Sequence, residues 1–438
     1  GINAVGRFDY RTLLRAQAAD LAEFQKKFDQ DELPHLKLFI RFQQEPAREY
    51  FRSIRDYMLT LDPAFKLASN TFDLRQEMLY LAEENRSDFH GAEMELYTRW
   101  PNEFGKLMGR LKLADALGIR IVSSGSWWNW DWARSQAHGA TQTTRAIIAG
   151  MYASGHQLVA PDLYRWISPQ YYGSIPAFAP LYRFVRAHPE LFDDYRAVEQ
   201  VGLIYDSSVA GAHTGDAVFR TDFDAVCMAL LDATVPFGIA AGADGFFHRR
   251  EFSSGELARR FQFIVEPRNT HLAGGQREAV ADFQSAGRAH TWNVDGMTGL
   301  RPKLRSWVAC DRARVWVLPR RHSTDAGAPL VVHVLNRNLR QDVAGSTDEL
   351  MTQRDVAVDL HAGLWGGQRA VGSVSAFEVP EDGQGMSLAF KRTTDGIRVM
   401  LPAVGLWKIL RLDLVPAGLA QSAVNPPRPA ANAGHYSF

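Results

Sequence analysis

The chain of 438 residues carries two cysteines and no net charge, and each shortage removes a class of protein. Cys227 and Cys310, with no CxxC and no Cys/His spacing, provide neither a disulfide framework nor a zinc motif. Both lie in apolar surroundings in different sections of the chain, as buried thiols do. Lys and Arg total 49 and Asp and Glu total 49, so no basic field invites nucleic acid or an anionic membrane. No run of about 18 apolar residues occurs, so no membrane span is expected. The first residues show no signal-peptide pattern, which leaves a soluble chain whose compartment, cytoplasmic or secreted, is open. No GxGxxG follows a strand, so no dinucleotide cofactor is expected, and neither a metal nor any other cofactor is read from the sequence. Hydrophobic content of 46% and charged content of 22% are ordinary for a globular protein. The length suits two or three domains.

What is abundant is tryptophan, in one place. Trp127-Trp128-Asn129-Trp130-Asp131-Trp132 holds four of the eleven indoles and follows Ile119 to Gly125, which reads as a buried parallel strand running into a loop. Four indoles are costly to expose in a polar loop and too crowded to enter one core. Indole faces stack on sugar rings while their N–H groups still donate, so the loop is a candidate carbohydrate-binding wall. The alternative is a loop that packs its tryptophans under a neighbouring lid.

The first half alternates helix and strand. Positions 33–61 have the spacing of an amphipathic helix with a kink or break expected at Pro46. Strands are expected at 66–71, 88–96, 119–124 and 156–160, with helices at 74–84, 102–117, 141–153 and 177–188. Gly118 and Gly155 close two of these helices. Consecutive strand–helix units demand a parallel sheet. Polar residues gather at the strand C-terminal ends, where a (β/α)₈ barrel places its chemistry: Ser69 and Asn70, Glu93 and Glu95, Ser123 and Ser124, Asp162. A small doubly wound α/β unit follows from Val201, and after about residue 303 short alternating runs describe an antiparallel β-sandwich. The expected fold class is therefore α/β: a partial (β/α)₈ (TIM) barrel, a small Rossmann-like domain and a C-terminal β-sandwich. The corresponding ranges are 1–198, 199–295 and 300–415, with a disordered tail over 416–438.

Four segments carry a resemblance: Phe8 to Arg15, Gly91-Ala92-Glu93-Met94-Glu95-Leu96-Tyr97, Leu158 to Tyr164, and Val201 to Asp206 with Cys227 to Phe237. Together with the order of units over about residues 8 to 414, they are similar to the family-42 β-galactosidases and their glycoside-hydrolase-like relatives. The resemblance implies that the first section is the C-terminal half of a barrel, strands five to eight, with strands one to four missing or supplied elsewhere. It also implies a homo-oligomer formed through the Rossmann-like, trimerisation-type unit. One departure matters. Those enzymes carry a Glu at the end of strand seven, whereas here that strand ends Ser123-Ser124-Gly125, with no carboxylate before Asp131. An acidic pair on strand six is closer to dextranase-like barrels, which normally lack the Rossmann-like unit.

Glycosidases need two carboxyl groups, about 5 Å apart for retention and about 6.5–9.5 Å for inversion. One must stay protonated near neutrality, which burial or a like-charged neighbour achieves. Glu93 and Glu95 have the i, i+2 spacing that puts both on one face of a strand. Glu95, nearer the strand end, is the candidate acid/base, and Glu93 its deeper neighbour; the alternative is a barrel-filling pair with Arg or Lys. Asp162 is a third candidate catalytic residue or a turn cap, and Asn70 a hydroxyl ligand or an Asx-turn. Trp100 and Trp166 extend the aromatic wall formed by Trp127, Trp128, Trp130 and Trp132, or pack at the rim. His90 and His156 begin their strands and are read as structural. Two functions stay open: a glycosidase acting on an oligo- or polysaccharide, incomplete in this fragment, and a non-catalytic carbohydrate-binding or scaffold protein.

Overall fold

The computed structural model describes residues 22–23, 26–27, 36–65, 67, 90–94, 104–125, 141–159, 175–210, 217–245, 248–293, 295–341, 348–381, 383 and 385–418. Apart from Leu67, the expected strand at 66–71, with the helix at 74–84 and the tail beyond 418, lies outside these residues. Helix Leu36–Leu61 runs through Pro46 as one element, so there is no break near Glu45. Proline removes one hydrogen bond, to the carbonyl of Phe42, and a helix of 26 residues has many others.

Three parallel strands, β1 (His90–Met94), β2 (Ile121–Gly125) and β3 (Gln157–Val159), lie side by side in chain order. Helix Phe104–Leu117 connects the first two and helix Gln142–Ala153 the next two. These helices stop where the sequence demands it. Gly118 and Gly155 take positive φ (72° and 84°), which a Cβ disfavours. Helix Ile175–Ala187 follows, and the Tyr182 hydroxyl donates to the Leu158 carbonyl at 2.7 Å, clamping that helix to β3.

Strand β4 (Tyr195–Ala197) does not join this sheet. It pairs antiparallel with Arg320 to His322 of a much later strand, although the sequence placed it with the first section. Three residues with one buried side chain are too short to announce a partner 125 residues away. Strands β5 (Val201–Asp206), β6 (Phe237–Gly242), β7 (Phe263–Glu266) and β8 (Ala289–Thr291) form a separate parallel sheet in the order β6-β5-β7-β8. β5 and β7 are buried at every position, as expected of strands covered by helices on both faces. Helix Ser254–Arg260 begins with an N-cap: the Ser253 side chain accepts from the Glu256 N–H at 3.3 Å.

The remaining strands are antiparallel. They are β9 (Val308–Cys310), β10 (Val315–His322), β11 (Leu330–Asn336), β12 (Leu339–Gln341), β13 (Asp348–Leu350), β14 (Gln353–His361), β15 (Arg369–Val379), β16 (Met386–Ser387), β17 (Phe390–Arg392), β18 (Gly396–Val404) and β19 (Trp407–Pro416). A six-stranded sheet, β16-β15-β19-β11-β10-β4, faces a four-stranded one, β17-β18-β14-β9, and their inner faces share one core. In β18, Ile397, Val399 and Leu401 are buried while Arg398 and Met400 point outward, the period-two pattern of a half-buried strand. β11 differs, for all seven of its residues are buried. Its Leu330, Val332 and Val334 enter the sandwich core, while Val331 and Leu335 join the core shared with the parallel-sheet units. Each such aliphatic side chain stabilises by about 1.5–3 kcal/mol on full burial. The largely apolar sequence of β11, in which even His333 is fully buried, thus reports a strand covered on both faces.

Candidate active site

The register of the parallel strands brings their C-terminal ends to one level. Glu93 stands opposite Ser124, and Ser124 opposite Val159. Glu93 is therefore next to the strand that leads into the tryptophan-rich segment. Of the candidate residues, only the backbone of Glu93 is among the described residues. Glu95, Asp162, Asn70, Trp100, Trp127, Trp128, Trp130, Trp132 and Trp166 lie outside them.

The other end of these strands is held by a buried histidine. His156 is 1% exposed, and its Nδ1 accepts from the Ile121 N–H at 3.0 Å. That places the ring proton on Nε2, which faces the Leu111 carbonyl at 3.1 Å and Asp115 Oδ1 at 3.3 Å. One ring thus ties the start of β2 to helix Phe104–Leu117 and fixes the neighbouring strands. Burial would raise the Asp115 carboxyl, but His156, with Arg320 and Lys112, outweighs it and holds the group below its ordinary value. The structural role expected for His156 agrees with this geometry.

The sandwich also reaches the face at the strand ends. Thr141, at the N-terminus of helix Gln142–Ala153, makes no side-chain cap. Asp348 of β13 supplies one instead, accepting the Thr143 N–H at 2.6 Å. A carboxylate there satisfies an orphan donor and complements the helix dipole. The segment 126–140, which carries the tryptophans, ends at this cap. Sequence offers no local sign of it, since the acid lies 205 residues from its donor.

Among the described residues, no group of three or more His, Cys, Asp or Glu is placed to hold a metal ion. No described helix is long and apolar enough to cross a membrane. Cys227 is buried and Cys310 partly so, both free, and burial pushes the Cys227 thiol well up, so neither is a ready nucleophile.

No family model matches the chain. In sequence it is similar to an alpha-agarase of Thalassotalea agarivorans, 25% identical over 425 residues, which covers 94% of this chain and 28% of that protein. An alpha-agarase of Alteromonas agarilytica is 23% identical over 372 residues, covering 82% of this chain and 25% of that protein. The chain spans about a quarter of the length of these curated relatives. In structure it is similar to alpha-L-fucosidase isoenzyme 2 from Paenibacillus thiaminolyticus, with a TM-score of 0.60 at 12% identity over 89% of this chain and 74% of that one. The chain is therefore similar in fold to a glycosidase and similar in sequence to part of two alpha-agarases.

Proposed function

We propose that the chain is part of a glycoside hydrolase that cleaves an agar-type polysaccharide at the C-terminal ends of β1–β3. The observation that carries this reading is the sequence similarity to alpha-agarase along 94% of the chain. The three aligned parallel strand ends support it, because barrel-type sheets place their chemistry there. Glu95 is the acid/base, two residues after Glu93, a spacing that puts both on one face of an extended strand. Glu93 raises the affinity of Glu95 for its proton by like-charge repulsion. Asp162, beyond the end of β3, orients the substrate or the attacking water. Trp127, Trp128, Trp130 and Trp132, with Trp100 and Trp166, form the stacking surface, and Asn70 binds a hydroxyl. In this scheme the carboxylic acid protonates the leaving glycosidic oxygen as the C–O bond breaks, and a second carboxylate assists the nucleophile on the opposite face of the sugar. The first section is read as half of a (β/α)₈ barrel, followed by the Rossmann-like and sandwich units. Its finer likeness to family 42 provides only the strand numbering.

The experiment is reducing-end release from agarose and from amylose by a complete barrel that contains this chain, as the wild-type protein and as Glu95→Gln, because the chain alone is expected to be inactive without the partner carboxylate of the other half-barrel. Release from agarose alone, lost in the variant with the melting curve unchanged, is the expected result. Retained agarose binding with no cleavage by the wild-type protein selects the non-catalytic, carbohydrate-binding function instead.

A further inference from the structure

A cleft of about 1350 Å³ lies at the other end of the parallel strands. It opens where the turns before β2 and β3 (Gly118 to Arg120, Gly155 and His156) meet β4, the end of β6 and helix Ser254–Arg260. The proposed chemistry is at the C-terminal strand ends, so this cleft is separate from it.

Its floor holds an unusual cation. Arg320 of β10 is 4% exposed, yet it makes no ion pair among the described residues. One guanidinium N–H donates to the Tyr195 carbonyl, and Nε is buried with no partner among the described residues. A guanidinium offers five donors, and burying it without a counter-charge is costly. The neighbouring acids are already engaged. Asp115 faces His156, and Glu199 accepts from Arg260 at 3.0–3.2 Å through both carboxylate oxygens. Burial accordingly lowers the proton affinity of Arg320, with Asp115 only partly offsetting it. Gly155 makes room for this group, since a Cβ there would overlap the guanidinium.

The rim adds charge of the same sign. Arg120 and Arg196 are exposed at the mouth and have no ion pair among the described residues. The rim acids are Asp194, Glu251 and Glu256, of which Glu256 is bonded to Arg250 at 3.1 Å. The aromatic rings of the lining, Tyr195 and Phe252, are both buried, and no tryptophan is among the lining residues. A neutral sugar would find no stacking surface here, whereas a carboxylate or sulfate matches the planar fork of arginine.

We propose that this cleft binds a small ligand bearing a carboxylate or sulfate group, which sits on the Arg320 guanidinium and is captured by Arg120 and Arg196. The site is independent of the proposed hydrolysis. It is tested by titrating the protein with sodium sulfate, sodium glucuronate and glucose at fixed ionic strength, reading heat and melting temperature. Saturable binding of sulfate or glucuronate with Kd at or below about 1 mM is expected, and none of glucose. Equal affinities identify the ligand as a free oxyanion, and tighter glucuronate identifies it as an acidic sugar. Arg120→Gln with Arg196→Gln, both at exposed positions, should weaken binding about tenfold. Arg320→Lys keeps the charge but loses the fork and should weaken it at least as much, with the melting curve checking that the variant folds. Heats indistinguishable from sodium chloride, or affinity untouched in both the rim and Arg320 variants, would overturn the proposal.

Discussion

Both parallel sheets have acids in the sequence at or just beyond the C-terminal ends of their strands, and the segments that follow them differ. In the four-stranded sheet each acid is answered by the fold itself. Asp206, ending β5, accepts from the Ser208 N–H at 2.9 Å, from its hydroxyl at 2.7 Å and from the His271 N–H. Glu266, ending β7, accepts from Arg277 at 2.7 Å and from Gln284 at 3.2 Å. Asp222, on helix Ala217–Asp232 between β5 and β6, is likewise held in a bidentate pair by Arg268 at 2.7 Å. Carboxylates with their lone pairs filled hold loops together and do no acid–base work. In the three-stranded sheet the strand ends lead into a polar, tryptophan-rich segment. An acid at a parallel strand end is therefore a weak sign of catalysis until its partners are known.

Substitutions on the two sheets sharpen this contrast. Glu95→Gln should lower turnover at least about 10²-fold with the melting curve unchanged, since general acid–base help is worth that much. Activity kept in this variant would leave the strand-end acids of the two sheets alike. Asp206→Ala should do the reverse, costing about 3 kcal/mol of stability in urea unfolding with no loss per folded molecule, because three donors lose a buried acceptor. His156→Ala removes the ring that joins Ile121 to Leu111 and should cost about 2 kcal/mol, read the same way. Asp348→Ala should cost about 1 kcal/mol as a lost helix cap, with faster amide exchange at Thr143 as its local signature.

The smallest effects are in pH, and two carboxylates of one cleft should show opposite signs. Asp115 titrates below its ordinary value in the folded protein, so its contribution is fully present above that value, 3.8, and is lost as pH falls through the folded one. Burial raises Glu199 above its ordinary 4.5, partly countered by Arg260 and Lys112. Its cost therefore appears as pH rises through that value and is absent in acid. Melting temperatures across the acid range should accordingly flatten in Asp115→Asn on the low side and rise in Glu199→Gln on the high side. Parallel profiles for the two variants would show that the cleft does not separate them.

Much of the architecture was legible because local chemistry sets it. Val201–Asp206 and Leu330–Asn336 were readable to the residue from their apolar runs, and Gly118 and Gly155 marked helix ends through the positive φ that glycine permits. Short strands were not legible. Tyr195–Ala197, Ala289–Thr291 and Val308–Cys310 have three residues each, too few for a period to show. The candidate site is a sequence reading of residue types at strand ends, Glu93 with Glu95 and the tryptophan run, because side-chain alternation and strand–helix order are local properties; of these residues only the Glu93 backbone is among the described ones.

Long-range partnerships were decided only in three dimensions. The Asp348 cap on Thr143, the clamp of Tyr182 on Leu158 and the buried guanidinium of Arg320 against Gly155 join residues that are dozens to hundreds of positions apart. Sequence fixes which groups can donate or accept, and only packing decides which of them meet. The same limit explains β11. Its composition required burial, but only the sandwich on one side and the parallel-sheet units on the other show why both of its faces are apolar.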